Sequence, residues 1–159
     1  MIIESQQYRL KFQHLTIREL TKDLDESFIK KRADSCKWSA FENIVHLTAY
    51  QPAFISRIEN ILENELPFFE RYKAEDDPLF YSYLEKNLND NLEILYSDRQ
   101  KIFELITGLS EVQLNRVGVH LKYGNLTTVQ WTEFFLLHES HHLFTVFKNI
   151  QELRVMVRV

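Results

Sequence analysis

The sequence predicts an all-α protein, an up-down four-helix bundle, on three observations. Hydrophobic residues make up 45% of the 159 residues, and 12 Phe and 7 Tyr among them favour an aromatic-rich packed core. There are three Gly and three Pro, whereas a β-rich domain uses many such residues in its turns. Apolar residues also recur at helical spacing in four long segments. We therefore predict a single domain, residues 1–159, built from four helices.

The first two predicted helices occupy the N-terminal half. Apolar residues recur every three to five positions across residues 7–32, which predicts the first helix. The second begins at Ser39, because Ser39 and Glu42 have the spacing of a capping box. Its apolar stripe continues to about Leu62, with a kink or break expected near Pro52, which cannot donate its backbone hydrogen bond.

The third predicted helix spans residues 78–107, after a polar link over residues 65–77. Pro78 suits the first turn of a helix, where its missing N–H does no harm. Gly108 is a suitable C-terminal stop.

The fourth predicted helix carries the C-terminal part of the chain. Residues 109–125 form a loop in this prediction, with room for one helical turn after Ser110. A second capping box, from Thr127 to Gln130, begins the fourth helix, which runs to about Leu153. Residues 154–159 alternate polar and apolar side chains, which predicts a short strand or an ordered extension.

Charge and composition set expectations for partners and location. The formal net charge of -4 gives no reason to expect a nucleic-acid partner, because such binding rests on clustered Lys and Arg. The N-terminus lacks a signal sequence, and no apolar run is long enough to span a bilayer, so no membrane partner is expected. Cys36 is a single cysteine, which favours a reducing compartment. We predict a cytoplasmic protein acting on a small-molecule substrate.

Three histidines lie close together in the fourth predicted helix. His138 and His142 are four residues apart, so they share one face, with Cβ atoms about 6 Å apart. Two imidazoles in that arrangement can bind one metal ion. His141 could replace His142 as a ligand, although it points about a hundred degrees away from it. The alternative is that these histidines are partly exposed, hydrogen-bonded and bind no metal.

The same segment contains the His-Glu-x-x-His pattern of zinc proteases, in which Glu139 would be the general base. The rest of that pattern does not follow. Seventeen residues remain after His142, and they lack the Gly and His of the extended motif. We therefore predict that Glu139 is a surface carboxylate or a neighbour of a metal ligand.

Residues 37–47, which start Lys-Trp-Ser and end at His46-Leu47, and residues 124–131, which start Gly-Asn-Leu-Thr, together resemble the DinB-like (YfiT-like) superfamily of metal-binding four-helix bundles. Residues 37–47 are similar to its Trp-Ser…Glu…His-Leu start of the second helix, with His46 at the histidine position. Residues 124–131 are similar to its Gly-x-Leu-Thr turn, which precedes a helix bearing His-x3-His. About two dozen residues match closely, and the predicted order of helices matches over the whole chain.

The resemblance implies a metal site formed by His46, His138 and His142, holding zinc, nickel or another divalent metal ion. It also implies a homodimer. Characterised relatives include bacillithiol- and mycothiol-dependent S-transferases, so a low-molecular-weight thiol is an expected co-substrate. The resulting hypothesis is metal-dependent thiol transfer, or a related hydrolysis, on a small electrophile. The alternatives are a non-catalytic metal-binding or interaction module and, third, a small zinc protease.

Two residues near the expected ligands are candidates for a further role. Glu42 lies one turn before His46 and could act as a base, but its capping role competes with that. Tyr50 lies one turn after His46 and could line a pocket, although we expect it to pack in the core.

Overall fold

The structure is a computed structural model that describes residues 2–157 of the chain. Within these residues the chain forms helices and a small sheet. In chain order the elements are α1 (Glu4–Phe12), α2 (Thr16–Thr21), α3 (Glu26–Ile29), α4 (Ala40–Glu63), β1 (Phe68–Phe69), α5 (Pro78–Leu84), α6 (Leu88–Thr107), α7 (Glu111–Leu114), β2 (Val117–His120), β3 (Gly124–Thr127) and α8 (Thr128–Val157).

The first predicted helix is divided, so the expectation of one continuous helix over residues 7–32 is wrong. A short 3-10 turn, Gln13–Leu15, separates α1 from α2. The chain then leaves the helix near Asp23, whose φ of 59° lies in the left-handed region. An α-helix cannot continue through that conformation, so α3 starts as a new helix after Asp25.

Helix α4 lies at the centre of the molecule and packs against both α6 and α8. The predicted capping box is confirmed: the Ser39 hydroxyl accepts the Glu42 amide, and the Glu42 carboxylate accepts the Ser39 amide. The helix runs through Pro52 without a break. Fourteen of its 24 residues are buried, so packing holds the helix together at the missing hydrogen bond.

The third predicted helix is two helices, α5 and α6. Pro78 is the first residue of α5, as predicted, and the Asp77 side chain caps this helix by accepting the Leu79 amide. The chain starts a new helix at Asn87, whose side chain accepts the Asp90 amide. The sequence prediction overlooked this N-cap. Helix α6 ends before Gly108 as expected.

The region predicted as a loop contains most of a three-stranded sheet. Strands β2 and β3 pair antiparallel, and β1 pairs parallel to β2 with Phe68 opposite Val119. Gly118 permits the packing of this sheet on α4, because a Cβ there would lie 2.8 Å from the Ile61 side chain. The predicted helical turn after Ser110 is confirmed as α7.

Helix α8 begins where the sequence predicts and ends later than predicted. Thr127 and Gln130 exchange the two hydrogen bonds of the predicted capping box. The helix then continues through Val157, so the expectation of a strand or extension at residues 154–157 is wrong. Residues 158 and 159 lie outside the described residues.

The core is formed where α1, α4, α6 and α8 pack together. It divides into two hydrophobic clusters along α4, one around Ile44 and Leu47 and one around Phe54 and Trp131. Over residues 2–157, no helix is both long and apolar enough to cross a membrane.

Candidate metal centre

The fold brings three histidines from two helices together; we call His46, His138 and His142 the histidine triad. One ligand nitrogen from each lies within 4.8 Å of the others. His46 Nε2 and His138 Nε2 are 3.1 Å apart. His46 comes from the buried N-terminal half of α4, and the other two share one face of α8, as predicted. Because α4 packs along α8, the two helices place all three rings at one point.

The ring orientation of His142 is fixed by a chain of hydrogen bonds from the start of α4. Asn43 Nδ2 donates to the Ser39 carbonyl oxygen at 2.8 Å. The Oδ1 atom of Asn43 therefore faces His142, whose Nδ1 lies 2.8 Å from it. Since Oδ1 only accepts, Nδ1 of His142 carries the proton and Nε2 keeps its lone pair. The helix cap thereby sets the tautomer of one candidate ligand.

The triad histidines are held in the neutral form. Burial, and to a smaller extent repulsion from the neighbouring imidazoles, lowers the pKa of His46, His138 and His142 to about 3. All three rings are therefore uncharged at neutral pH. A neutral imidazole has the lone pair that a metal ligand needs.

The donor set fits a divalent metal ion. Two nitrogens bound to one tetrahedral ion at 2.0–2.1 Å would lie about 3.3 Å apart, close to the 3.1 Å between His46 Nε2 and His138 Nε2. Ligating histidines usually donate their other N–H to an acceptor, and His142 does so. Nδ1 of His46 and of His138 is buried without a partner in the described part of the chain, so packing orients those two rings.

Aromatic rings surround the triad. Trp38, Tyr50 and Tyr72 lie 5.2, 6.2 and 5.6 Å from the His46 ring, measured between ring centroids. These contacts leave few rotamers open to His46, so packing against the aromatic rings orients this candidate ligand.

His141 stays outside the triad. Its side chain is exposed, and its ring centroid lies 5.2 Å from that of His142. Among the described residues, the histidines that come within ligand distance of one another are His46, His138 and His142. This geometry matches the expectation that His141 points to the side.

Of the two roles predicted for Glu139, a surface carboxylate or a neighbour of a metal ligand, the first is wrong. Its side chain is 1% exposed and forms a buried ion pair with Arg99, whose side chain is 2% exposed. Gln13 Nε2 donates to the same carboxylate at 2.9 Å. Arg99 lies on α6 and Gln13 lies in the turn between α1 and α2, so these bonds tie α8 to both neighbouring segments. Glu139 therefore holds α8 in the core and does not line the cavity described below.

Glu42 and Tyr50, the two other residues considered for a role near the ligands, both have defined surroundings in the structure. Glu42 caps α4 and pairs with Arg32 at 2.6 Å, so its carboxylate is occupied as expected. Tyr50 is 2% exposed and packs in the core, yet its ring is 4.6 Å from that of His138 and forms part of the cavity wall. The expectation of core packing is confirmed, and so is the pocket-lining role.

A cavity of about 1260 Å³ opens onto the triad. Its wall combines the triad with the α4–α5 connection and the β2–β3 hairpin. The sequence analysis missed two polar members of this wall, Arg57 on α4 and His120 at the end of β2. Both lie far in sequence from the histidine motif, and the hairpin that carries His120 was itself not predicted. This volume exceeds the roughly 300–1,000 Å³ of pockets that hold one small-molecule ligand, so the cavity has room for a small molecule together with a co-substrate.

The fold and the site together define a class: helical bundles with a histidine triad between two helices, open to a cavity. A family model described as the DinB superfamily matches residues 9–146 of the chain. The chain therefore belongs to the DinB superfamily, which confirms the resemblance and the four-helix-bundle fold. No curated protein matches the chain.

Solved structures share this fold at low sequence identity. YfiT from Bacillus subtilis, described as "a probable metal-dependent hydrolase with an unusual four-helix bundle topology", has a TM-score of 0.74 and 17% identity, covering 96% of this chain and 86% of that one. TT2238, a four-helix bundle protein, has a TM-score of 0.63 and 15% identity over 90% and 95% of the two chains. An uncharacterised protein from Clostridium difficile 630 has a TM-score of 0.68 and 15% identity over 97% and 96%.

Proposed function

We propose that the protein binds one divalent metal ion through Nε2 of His46, His138 and His142 and uses it for hydrolysis or thiol transfer on a small electrophile. The observation that carries this proposal is the geometry of the triad: three neutral imidazoles converge within 4.8 Å at the cavity. Three protein ligands leave coordination positions for water or substrate, as in catalytic rather than structural sites. A metal ion there would lower the pKa of a bound water or thiol.

The chain's own residues contribute ligand orientation and a hydrogen-bond donor. The hydrogen bond from His142 to Asn43 keeps the lone pair of Nε2 free for binding. Burial raises the pKa of the Tyr50 phenol, so it stays protonated at neutral pH. Tyr50 is thus a hydrogen-bond donor beside His138, suited to hold a substrate oxygen.

Hydrolysis is supported by the similarity to YfiT, which is itself described as a probable metal-dependent hydrolase. Thiol transfer is supported by the size of the cavity, because about 1260 Å³ exceeds what one drug-sized molecule fills. Zinc and nickel both accept imidazole ligands, and both are proposed.

A zinc protease of the His-Glu-x-x-His type has less support. That mechanism needs Glu139 as a base beside the metal, whereas Arg99 and Gln13 bind its carboxylate in the core. The non-catalytic alternative remains a binding module with the same triad, and it differs from the enzyme by the absence of turnover.

The test combines metal loading with assays of both reactions. Protein reconstituted with zinc or nickel is assayed for hydrolysis of activated esters and amides, and for consumption of a thiol with an electrophilic co-substrate. Turnover should require the metal and fall at least a hundredfold in His138→Ala, whereas His141→Ala should retain it. Metal binding without turnover in either assay would favour the non-catalytic module.

A further inference from the structure

The wall of the cavity beyond Tyr50 carries positive charge that the chain does not neutralise. The lining residues include five Lys or Arg and two Glu, a formal balance of +3, in a chain whose net charge is -4. Glu133 is paired with Arg9 at 2.7 Å, while Lys37 and Lys73 are paired with Glu75 at 2.6 Å and Asp76 at 3.5 Å. The cations of the wall that have no ion pair among residues 2–157 are Arg57, Arg71 and Lys122. The cavity therefore attracts negative charge although the protein as a whole repels it.

Arg57 is the most enclosed of these cations. It is partly buried, and its guanidinium carbon lies 5.7 Å from the Tyr50 ring and 5.6 Å from the Trp131 ring. Its Nη1 donates to the Tyr50 hydroxyl at 3.0 Å and its Nη2 to the Glu70 carbonyl oxygen at 2.9 Å. These contacts fix the side chain but supply no negative charge.

Arg57 has hydrogen-bond donors that are free to bind a ligand. A guanidinium has five N–H groups, and two of them are used in these bonds. Within residues 2–157, no carboxylate forms an ion pair with Arg57. An enclosed arginine with three remaining donors is the usual partner of a carboxylate or phosphate.

His120 adds a second donor beside Arg57. Its ring centroid lies 5.5 Å from that of Trp131, the ring that Arg57 also contacts. Nδ1 of His120 accepts the backbone N–H groups of Lys122 at 3.0 Å and Tyr123 at 3.2 Å. An atom that accepts two hydrogen bonds carries no proton, so the proton of the neutral ring is on Nε2. The hairpin turn thus fixes His120 as an N–H donor in the cavity wall.

We infer that Arg57, His120 and Lys122 form an anion-binding subsite at the hairpin end of the cavity, so that the substrate or co-substrate carries a carboxylate or phosphate group. This inference rests on the proposed function, in which the other end of the substrate or co-substrate reacts at the triad. Tyr50 separates the two ends, since its ring lies against His138 and its hydroxyl is bound by Arg57. The ligand class is a small molecule with its reactive group and its anionic group several atoms apart.

The test is calorimetric titration of metal-free protein with inorganic phosphate at low ionic strength. Arg57→Gln should weaken binding roughly ten- to a hundredfold, because it removes charged hydrogen bonds. Arg18→Gln is the matched control: it removes the same charge from an exposed position that does not line the cavity, and it should bind as wild type does. No phosphate binding by wild type, or equal loss in both variants, would overturn the subsite.

Two further variants keep the test decisive if Arg57→Gln does not give the circular dichroism spectrum of wild type. His120→Asn retains an acceptor for the hairpin amides but lacks the Nε2–H donor, and should weaken phosphate binding roughly two- to tenfold. Lys122→Gln should weaken it as well and lessen its dependence on salt. Unchanged binding in both variants would contradict the assignment.

A matched pair of thiols then tests the two-ended ligand on zinc-loaded protein. Mercaptohexanoate should bind at least tenfold more tightly than mercaptohexanol, and Arg57→Gln should remove the difference. Equal binding of the two thiols would contradict a ligand that reaches both ends of the cavity. Zinc content is measured on the same samples: phosphate binding through Arg57 without any zinc would leave the subsite standing and remove the metal-dependent function.

Discussion

The buried ion pair between Arg99 and Glu139 gives the sharpest prediction about stability. The change is Glu139→Gln, which keeps the size of the side chain and removes its charge. Arg99, with its side chain 2% exposed, is then left as an uncompensated buried charge. Breaking a buried pair in this way costs about 3–5 kcal/mol. For a domain of this size, that loss lowers Tm by roughly 6–20 °C.

The measurement is thermal unfolding followed by circular dichroism, at neutral pH and without metal. Glu75→Gln is the control, because Glu75 pairs with Lys37 at 2.6 Å on the surface, and exposed pairs contribute about 0–1 kcal/mol. The Glu139→Gln protein should still bind metal at temperatures below its Tm, because Glu139 does not contact the triad. A Tm equal to that of wild type, together with loss of hydrolysis, would refute this reasoning and favour the protease mechanism.

The remaining predictions concern the triad, pH and assembly. Asn43→Leu removes the hydrogen bond that sets the His142 tautomer, so metal affinity should fall roughly 10–100-fold; an unchanged affinity in a chelator competition assay would contradict that role. In the folded state, the pKa of His14 and of the three triad histidines is about 3, below the ordinary histidine value of 6.5. The unfolded chain therefore binds more protons between these values, and the metal-free protein should lose stability as pH falls from about 6.5; urea denaturation with the same midpoint at pH 7 and pH 5 would be inconsistent with this. The homodimer also remains a prediction. Phe144 and Phe147 are exposed on α8, and we expect this surface to form the dimer interface. Replacing both residues with Glu should therefore convert the dimer into a monomer, as measured by light scattering.

Helical periodicity and capping patterns predicted the long elements because those signals are local. The capping box at Ser39 and the stop at Gly108 both appear where the sequence places them. The division of the first helix depends on Asp23 adopting a left-handed conformation, which Asp adopts only where its surroundings favour it. The sheet was missed because β1 has two residues and pairs with β2 across a gap of about fifty positions.

The triad was predictable and its surroundings were not. The i, i+4 spacing places His138 and His142 on one face, and the resemblance to the DinB superfamily adds His46. Glu139 shows why local sequence patterns do not predict such surroundings. Its burial depends on Arg99, a residue on another helix that no local pattern connects to it. Arg57 likewise becomes part of the cavity only when α4 packs beside the hairpin. Long-range packing determines such positions, and a single sequence contains no direct signal for it.

The measurement that tests the central claim most directly is the metal content of untagged protein, purified without chelators, reconstituted with zinc or nickel and then desalted. Wild type and His141→Ala should each hold about one metal ion per chain, whereas His46→Ala should hold little. That result would establish a metal site between α4 and α8. No metal in wild type after reconstitution, or equal metal in wild type and His46→Ala, would contradict the account and leave three buried histidines that serve packing alone.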